Sequence, residues 1–241
     1  MRTAFWAVFR EIRPGQRPTA ARTPETSTGT TMSGRRDATR DLLVMGASAG
    51  GIEALCRALT GAEPLDAAVL IAIHLAPGSR TALPEILTRA TRMPARLAEE
   101  GTPLRRGTIL IAPPDLHMLV DESSVHLSSG PRENRSRPAV DPLFRSAAHC
   151  HGVRTVAVVL SGMLNDGAAG LAAVRRAGGV GIVQDPDDAR FRGMPATAIE
   201  IAGADHIVGI ADMRATLERV IVERAVGQPE DEAPASALRA R

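Results

Sequence analysis

Residues 41–59 read DLLVMGASAGGIEALCRAL, and their pattern decides the fold. An apolar run, LLVMGA (42–47), enters a turn of small residues, and Gly51 to Leu59 then repeats apolar positions at helical spacing. A strand that is apolar at every position, not only at alternate ones, is covered on both faces, as in a parallel sheet between helices. The same strand pattern returns in VLIAIH (69–74), TILIAP (108–113), TVAVVLSG (155–162), VGIVQD (180–185) and, more weakly, DHIVGI (205–210). Helical patterns over Arg80–Thr91, Pro142–Cys150, Ala168–Ala177 and Ala211–Ala225 stand between or after these strands. Residues 115–130 differ, because HMLVDESSVHLSS holds two short strands about a DESS turn, a hairpin and not a crossover. The expectation is a doubly wound, mostly parallel α/β sheet, Rossmann-like and three-layered, with one β-hairpin.

In such sheets ligands bind beyond the carboxyl ends of the strands. The first strand ends in Gly46-Ala47-Ser48-Ala49-Gly50-Gly51. As a dinucleotide fingerprint this fails, because Ser48 replaces the glycine that lets pyrophosphate approach, and the next strand ends in His74 instead of an acid. As a nucleophile elbow, Gly46-x-Ser48-x-Gly50 fits: small neighbours permit a tight turn, and the following helix N-terminus favours a developing oxyanion. A plain tight turn of small residues explains the same string equally well. His74 closes the second strand, placed as a general base, although a lone histidine at a sheet edge needs no such role. Asp166, in SGMLNDGA (161–168), follows the fourth strand and precedes a helix; it is placed to orient His74, or simply to cap that helix. Three such residues, each directly after a buried strand on one sheet edge, are a far rarer coincidence than any one of them.

The 241 residues carry 29 basic and 27 acidic side chains, a formal net charge of +2, and every basic one is arginine. That balance does not call for nucleic acid, and an aromatic content of 2% argues against a base-stacking surface. Two cysteines, Cys56 and Cys150, cannot build a disulfide framework or a four-cysteine zinc site. His149-Cys150-His151 places its ligand-type side chains on different sides of a helix, so no metal site is expected. No apolar run approaches the roughly 20 residues of a membrane helix. Residues 1–40 read as a disordered leader, or as sequence upstream of a true start at Met32, and residues 226–241 as a disordered tail. Arg132, Arg135 and Arg137 read as a solvated basic loop that is also placed to steer an acidic partner.

Six motifs, in order, then resemble one family: GASAGG (46–51), IHLAPG (73–78), APPDLHM (112–118), RPAVDPLFRS (137–146), LSGMLNDGA (160–168) and QDPDDARFRGMP (184–195). They resemble the catalytic domain of the chemotaxis protein-glutamate methylesterases, the CheB type. The resemblance implies a catalytic domain over 41–225, a Ser48, His74 and Asp166 triad, and an oxyanion hole from the backbone amides of Ala49 and Met163, with no cofactor and no metal. It implies hydrolysis of glutamate γ-methyl esters, with deamidation of glutamines, on the cytoplasmic domains of methyl-accepting chemoreceptors. It also implies a cytoplasmic location without membrane insertion, and a chemosensory kinase or methyltransferase as a further partner. The family's phosphoacceptor receiver domain has no counterpart in residues 1–40, so a stand-alone catalytic domain is expected. Leu164 stands where the family commonly has glycine; if that position needs positive φ, the Asp166 loop is expected to differ. The family often has an aromatic residue near Gly193, whereas here Phe191 lies two positions earlier. Two other readings stay open: an α/β-hydrolase using Ser48, Asp166 and His206, and a catalytically silent chemosensory binding module.

Overall fold

The computed structural model describes residues 38–75, 78 and 81–225, so the expectations for the leader and the tail lie outside them. In chain order the elements are β1 (Ala38–Thr39), β2 (Leu42–Ala47), α1 (Gly51–Leu59), β3 (Ala68–Ile73), α2 (Leu83–Thr91), β4 (Ala95–Leu97) and β5 (Ile109–Ile111). There follow β6 (His117–Val120), β7 (Val125–Ser128), α3 (Val140–His151), β8 (Thr155–Val159), α4 (Ala168–Arg176), β9 (Val180–Gln184), α5 (Gly193–Ala202), β10 (His206–Val208), α6 (Ile210–Val222) and β11 (Arg224–Ala225).

Seven strands form one parallel sheet in the order β10-β9-β8-β2-β3-β5-β4. Chain order runs outward from β2 through β3 in one direction, then restarts at β8 on the other side of β2. The carboxyl ends of β2 and β8 therefore flank the point where winding reverses, the place where such sheets hold ligands. Alternation along β2 shows why its sequence is apolar throughout. Leu43, Met45 and Ala47 join a core with α1, α2 and α6, while Leu42 and Val44 join a second core with α3, α4, α5 and the hairpin. Each fully buried leucine or valine in these layers contributes about 1.5–3 kcal/mol.

The hairpin of β6 and β7 forms as expected, antiparallel with Leu119 opposite His126. The helix expected from residue 211 to 225 stops at Val222; Glu223 is extended, and Arg224–Ala225 pairs antiparallel with Ala38–Thr39. Helix α3 starts two residues earlier than expected, because Pro142 sits in a first turn whose N–H groups need no intrahelical partner. Strand β4 and helix α5 are additional to the sequence reading. Among the described residues no helix is long and apolar enough to cross a membrane.

Candidate active site

The turn after β2 is closed by a hydrogen bond from the Gly51 amide to the Ser48 carbonyl, 2.9 Å. Its left-handed residue is Gly50, φ 72°, and not the serine, so Ser48 itself needs no unusual backbone. The Ser48 amide donates to the Ser161 carbonyl beyond β8, 3.0 Å, which ties the two flanking loops together. Beneath the turn, Gly46 leaves no room for a side chain: a Cβ there would collide with Val140, so α3 packs directly onto β2.

The three strand-end residues meet. Ser48 Oγ lies 3.0 Å from His74 Nδ1, and His74 Nε2 lies 2.6 Å from Asp166 Oδ2. An ionised carboxylate only accepts, so Nε2 carries the hydrogen and Nδ1 presents the lone pair to the serine hydroxyl. Asp166 is 1% exposed, yet it accepts three further hydrogen bonds: from the amides of Val140 (2.8 Å) and Asp141 (3.1 Å) and from Asn134 Nδ2 (2.7 Å). Burial alone would raise the Asp166 carboxyl, but the bonds from His74, Val140 and Asp141 outweigh it and hold it below the ordinary aspartate value. The acid is thus kept charged beside the imidazole.

Among the described residues the amides of Ala49 and Met163 donate to no protein acceptor, which leaves both available to a bound oxyanion. A cavity of about 440 Å³ opens beside Ser48 and His74, lined also by Ile52, Glu53 and Arg190. Exposed apolar side chains, Ile52, Met163, Leu164 and Phe191, are carried by the strand-end loops and by the start of α1. Arg190 lies over the Phe191 ring, 5.9 Å from its centre.

Leu164 takes the left-handed conformation, φ 67°, while Asp166 still reaches His74, so the leucine does not move the acid out of the site. His206 is different. It opens β10, which β9 and β8 separate from β2, three strand spacings or about 14 Å away and toward the amino end. The expected solvated loop is largely tied down: Arg132 and Arg137 both pair with Asp115, and Arg137 also donates to the carbonyls of Ser129 and Gly130. His117, with no role assigned from sequence, links the hairpin to this loop; its Nε2 donates to the Pro131 carbonyl and its Nδ1 accepts from the Ala139 amide. His151 Nε2 donates to the Asp121 carbonyl, far from the strand ends that hold Ser48.

Sequence reasoning missed Ser161, Asn134 and Asp141. Ser161 Oγ donates to the Ala49 carbonyl and accepts from the Phe191 amide, joining the serine turn to the loop after β9. A serine near the end of a buried apolar run was its available signal; Asn134 had none beyond its place in a polar loop.

The sequence profile of the CheB methylesterase family matches residues 43–217. The chain belongs to the CheB methylesterase family. It is similar to protein-glutamate methylesterase/protein-glutamine glutaminase 3 of Burkholderia lata, 42% identical over 179 residues, which cover 73% of this chain and 49% of that protein. A relative of the same description in Pseudomonas aeruginosa is 37% identical over 193 residues, 78% of this chain and 55% of the relative. The chain therefore spans about half the length of the curated relatives it matches. Among solved structures it is similar to the Thermotoga maritima CheB methylesterase catalytic domain, with a TM-score of 0.70 and 28% identity over 76% of this chain and 99% of that one. The CheB methylesterase fold is thus the one described above, with the serine, histidine and aspartate motifs inside the matched span.

Proposed function

We propose that residues 41–225 form a protein-glutamate methylesterase catalytic unit that also deamidates glutamines, with Ser48, His74 and Asp166 as its triad. The observation that carries this reading is the continuous hydrogen-bonded chain from Ser48 Oγ through His74 to a buried, charged Asp166. Ser48 Oγ attacks the γ-carbonyl of the glutamate methyl ester while His74 Nδ1 takes its proton. The tetrahedral oxyanion is held by the amides of Ala49 and Met163. Collapse expels methanol, protonated by Nδ1, and leaves a glutamyl ester on Ser48. Water, giving its proton to Nδ1, then attacks that ester, and the carboxylate and the serine hydroxyl are released. With a glutamine side chain the same steps expel ammonia.

The substrate is the cytoplasmic helical domain of a methyl-accepting chemoreceptor, a chemosensory kinase or methyltransferase is a further partner, and the site of action is the cytoplasm. The names of the relatives support the ester and amide chemistry. Incubating a methylated receptor cytoplasmic fragment with the protein and with Ser48→Ala, and measuring methanol, tests this. Methanol from the wild type, with a loss on the order of 10⁴-fold or more in the variant, is the expected result. Equal release from both removes Ser48 as nucleophile; binding of the fragment with no release from either leaves the silent module.

A further inference from the structure

The hydrogen bonds around Asp166 extend past the triad into a second buried acid. Asp141, on α3, is 5% exposed; its Oδ1 accepts from the Gly170 amide at 2.6 Å and its Oδ2 from Asn134 Nδ2 at 2.8 Å. Asp166, just before α4, accepts from the first two amides of α3, while Asp141, in the first turn of α3, accepts from an amide in the first turn of α4. Each acid thus caps the other's helix, and both carboxylates lie close to helix N-termini that favour negative charge. The same Asn134 nitrogen donates to both, one hydrogen to each, at 2.7 Å to Asp166 and 2.8 Å to Asp141.

Asn134 is delivered by a turn built for the purpose. Asn134 and Arg135 are both left-handed, φ 50° and 64°, and Glu133 and Ser136 exchange two backbone hydrogen bonds across them. That is a type I′ turn, whose first central position favours asparagine. Arg145 grips Glu133 with two hydrogen bonds of 2.7 and 2.8 Å, which fixes the turn to α3.

We infer that Asn134 is a positioning residue: its amide bridges Asp166 to Asp141, allowing two buried acids to lie side by side while the negative charge stays on the carboxylate that faces His74. This rests on the reading of Ser48, His74 and Asp166 as a hydrolytic triad. With four donors, two on each oxygen, the Asp166 carboxylate has all its acceptor positions filled and cannot rotate without losing one. The two acids are also pushed apart in acidity. Burial, with the Asp166 charge nearby, raises the Asp141 carboxyl above its ordinary value, whereas Asp166 is held below. Without the bridging amide the pair shares a proton, and the charge opposite His74 is diluted.

The test follows the side-chain carboxyl carbons of Asp141 and Asp166 by NMR across pH in the full chain. In Asn134→Ala the Asp166 midpoint is expected to rise by about one unit or more. The low-pH limb of kcat for methanol release should move up with it, kcat should fall roughly 10- to 100-fold and KM should change little. In Asn134→Ala/Asp141→Asn the Asp166 midpoint should return toward the wild-type position, because the like charge is gone. An unmoved Asp166 midpoint in Asn134→Ala overturns the inference. So does a uniform fall in kcat with an unmoved pH limb, the signature of a merely structural residue. Should Asn134→Ala fail to fold, Asn134→Ser, which keeps at most one donor hydrogen, decides: a raised Asp166 midpoint supports the bridge, and an unmoved one overturns it. If the wild-type protein releases no methanol, the methylesterase reading falls, and the carboxyl titration still decides this one.

Discussion

Leu164 carries the clearest local cost in the site. A non-glycine residue at φ 67° places its Cβ against the following carbonyl, at about 1–2 kcal/mol, and at 60% exposure the side chain recovers little of that by packing. Leu164→Gly should therefore stabilise the protein by about 0.5–1 kcal/mol once the greater freedom of glycine in the unfolded chain is deducted. Urea unfolding of the two proteins measures this, and a lower midpoint for the glycine variant would show that the leucine packs usefully in solution. At this scale the sequence told most about residues that end a strand. Ser48 and His74 were legible because a buried parallel strand delivers its next residue to a known edge, and Asp166 because the loop after β8 leaves from that same edge. Asn134 and Asp141 were not, since their meaning comes from partners up to 32 residues away and no periodicity points there.

Elements with strong periodicity were read almost to the residue: α1 and β2 have the expected bounds, and β8 and β9 begin where expected. Helix α5 escaped because GMPATAIEIA contains a proline and β-branched residues and has no polar face to set a period. Strand β4 escaped because it is a three-residue edge strand, half covered. The hairpin was legible from its alternation, but its clamp was not. His126 on β7 lies 2.7 Å from Glu100 Oε1 through Nδ1 and 2.9 Å from Asp121 Oδ2 through Nε2. Burial would lower its pKa, but Asp121 and Glu100 outweigh that and raise it above the ordinary histidine value. Its contribution is therefore complete below about pH 6.5 and disappears as pH rises through the raised value. Amide exchange in β6 and β7, corrected for intrinsic base catalysis, should accelerate from pH 6 to 9 in the wild type and stay flat in His126→Gln. Matching profiles for the two proteins would remove the clamp.

Over the whole molecule, the site exists because the sheet reverses its winding between β2 and β8, so the serine turn opens a helix of one layer and the Asp166 loop a helix of the other. The fold class was legible in the continuous apolar strands, while the way α3 and α4 cap one another across the second layer was not. The same structure sets the response to acid. Glu100, Asp166, Asp188 and Asp205 are all held below their ordinary values, as is Asp121, at about 2, and Asp41 between Arg154 and Arg106. Each contributes stability that is present above about pH 4 and is lost as pH falls toward its own folded value. Asp141 has the opposite sign: its raised carboxyl takes up a proton more readily folded than unfolded, so acid relieves it. Six depressed carboxyls outweigh one raised, and they stand at both ends of the sheet, so the loss is global and not confined to the site. The urea midpoint should fall steeply from about pH 4 toward 2, where these groups take up protons. A midpoint at pH 2.5 equal to that at pH 5 would mean that these carboxylates are as well satisfied by water as by their arginine, histidine and backbone partners.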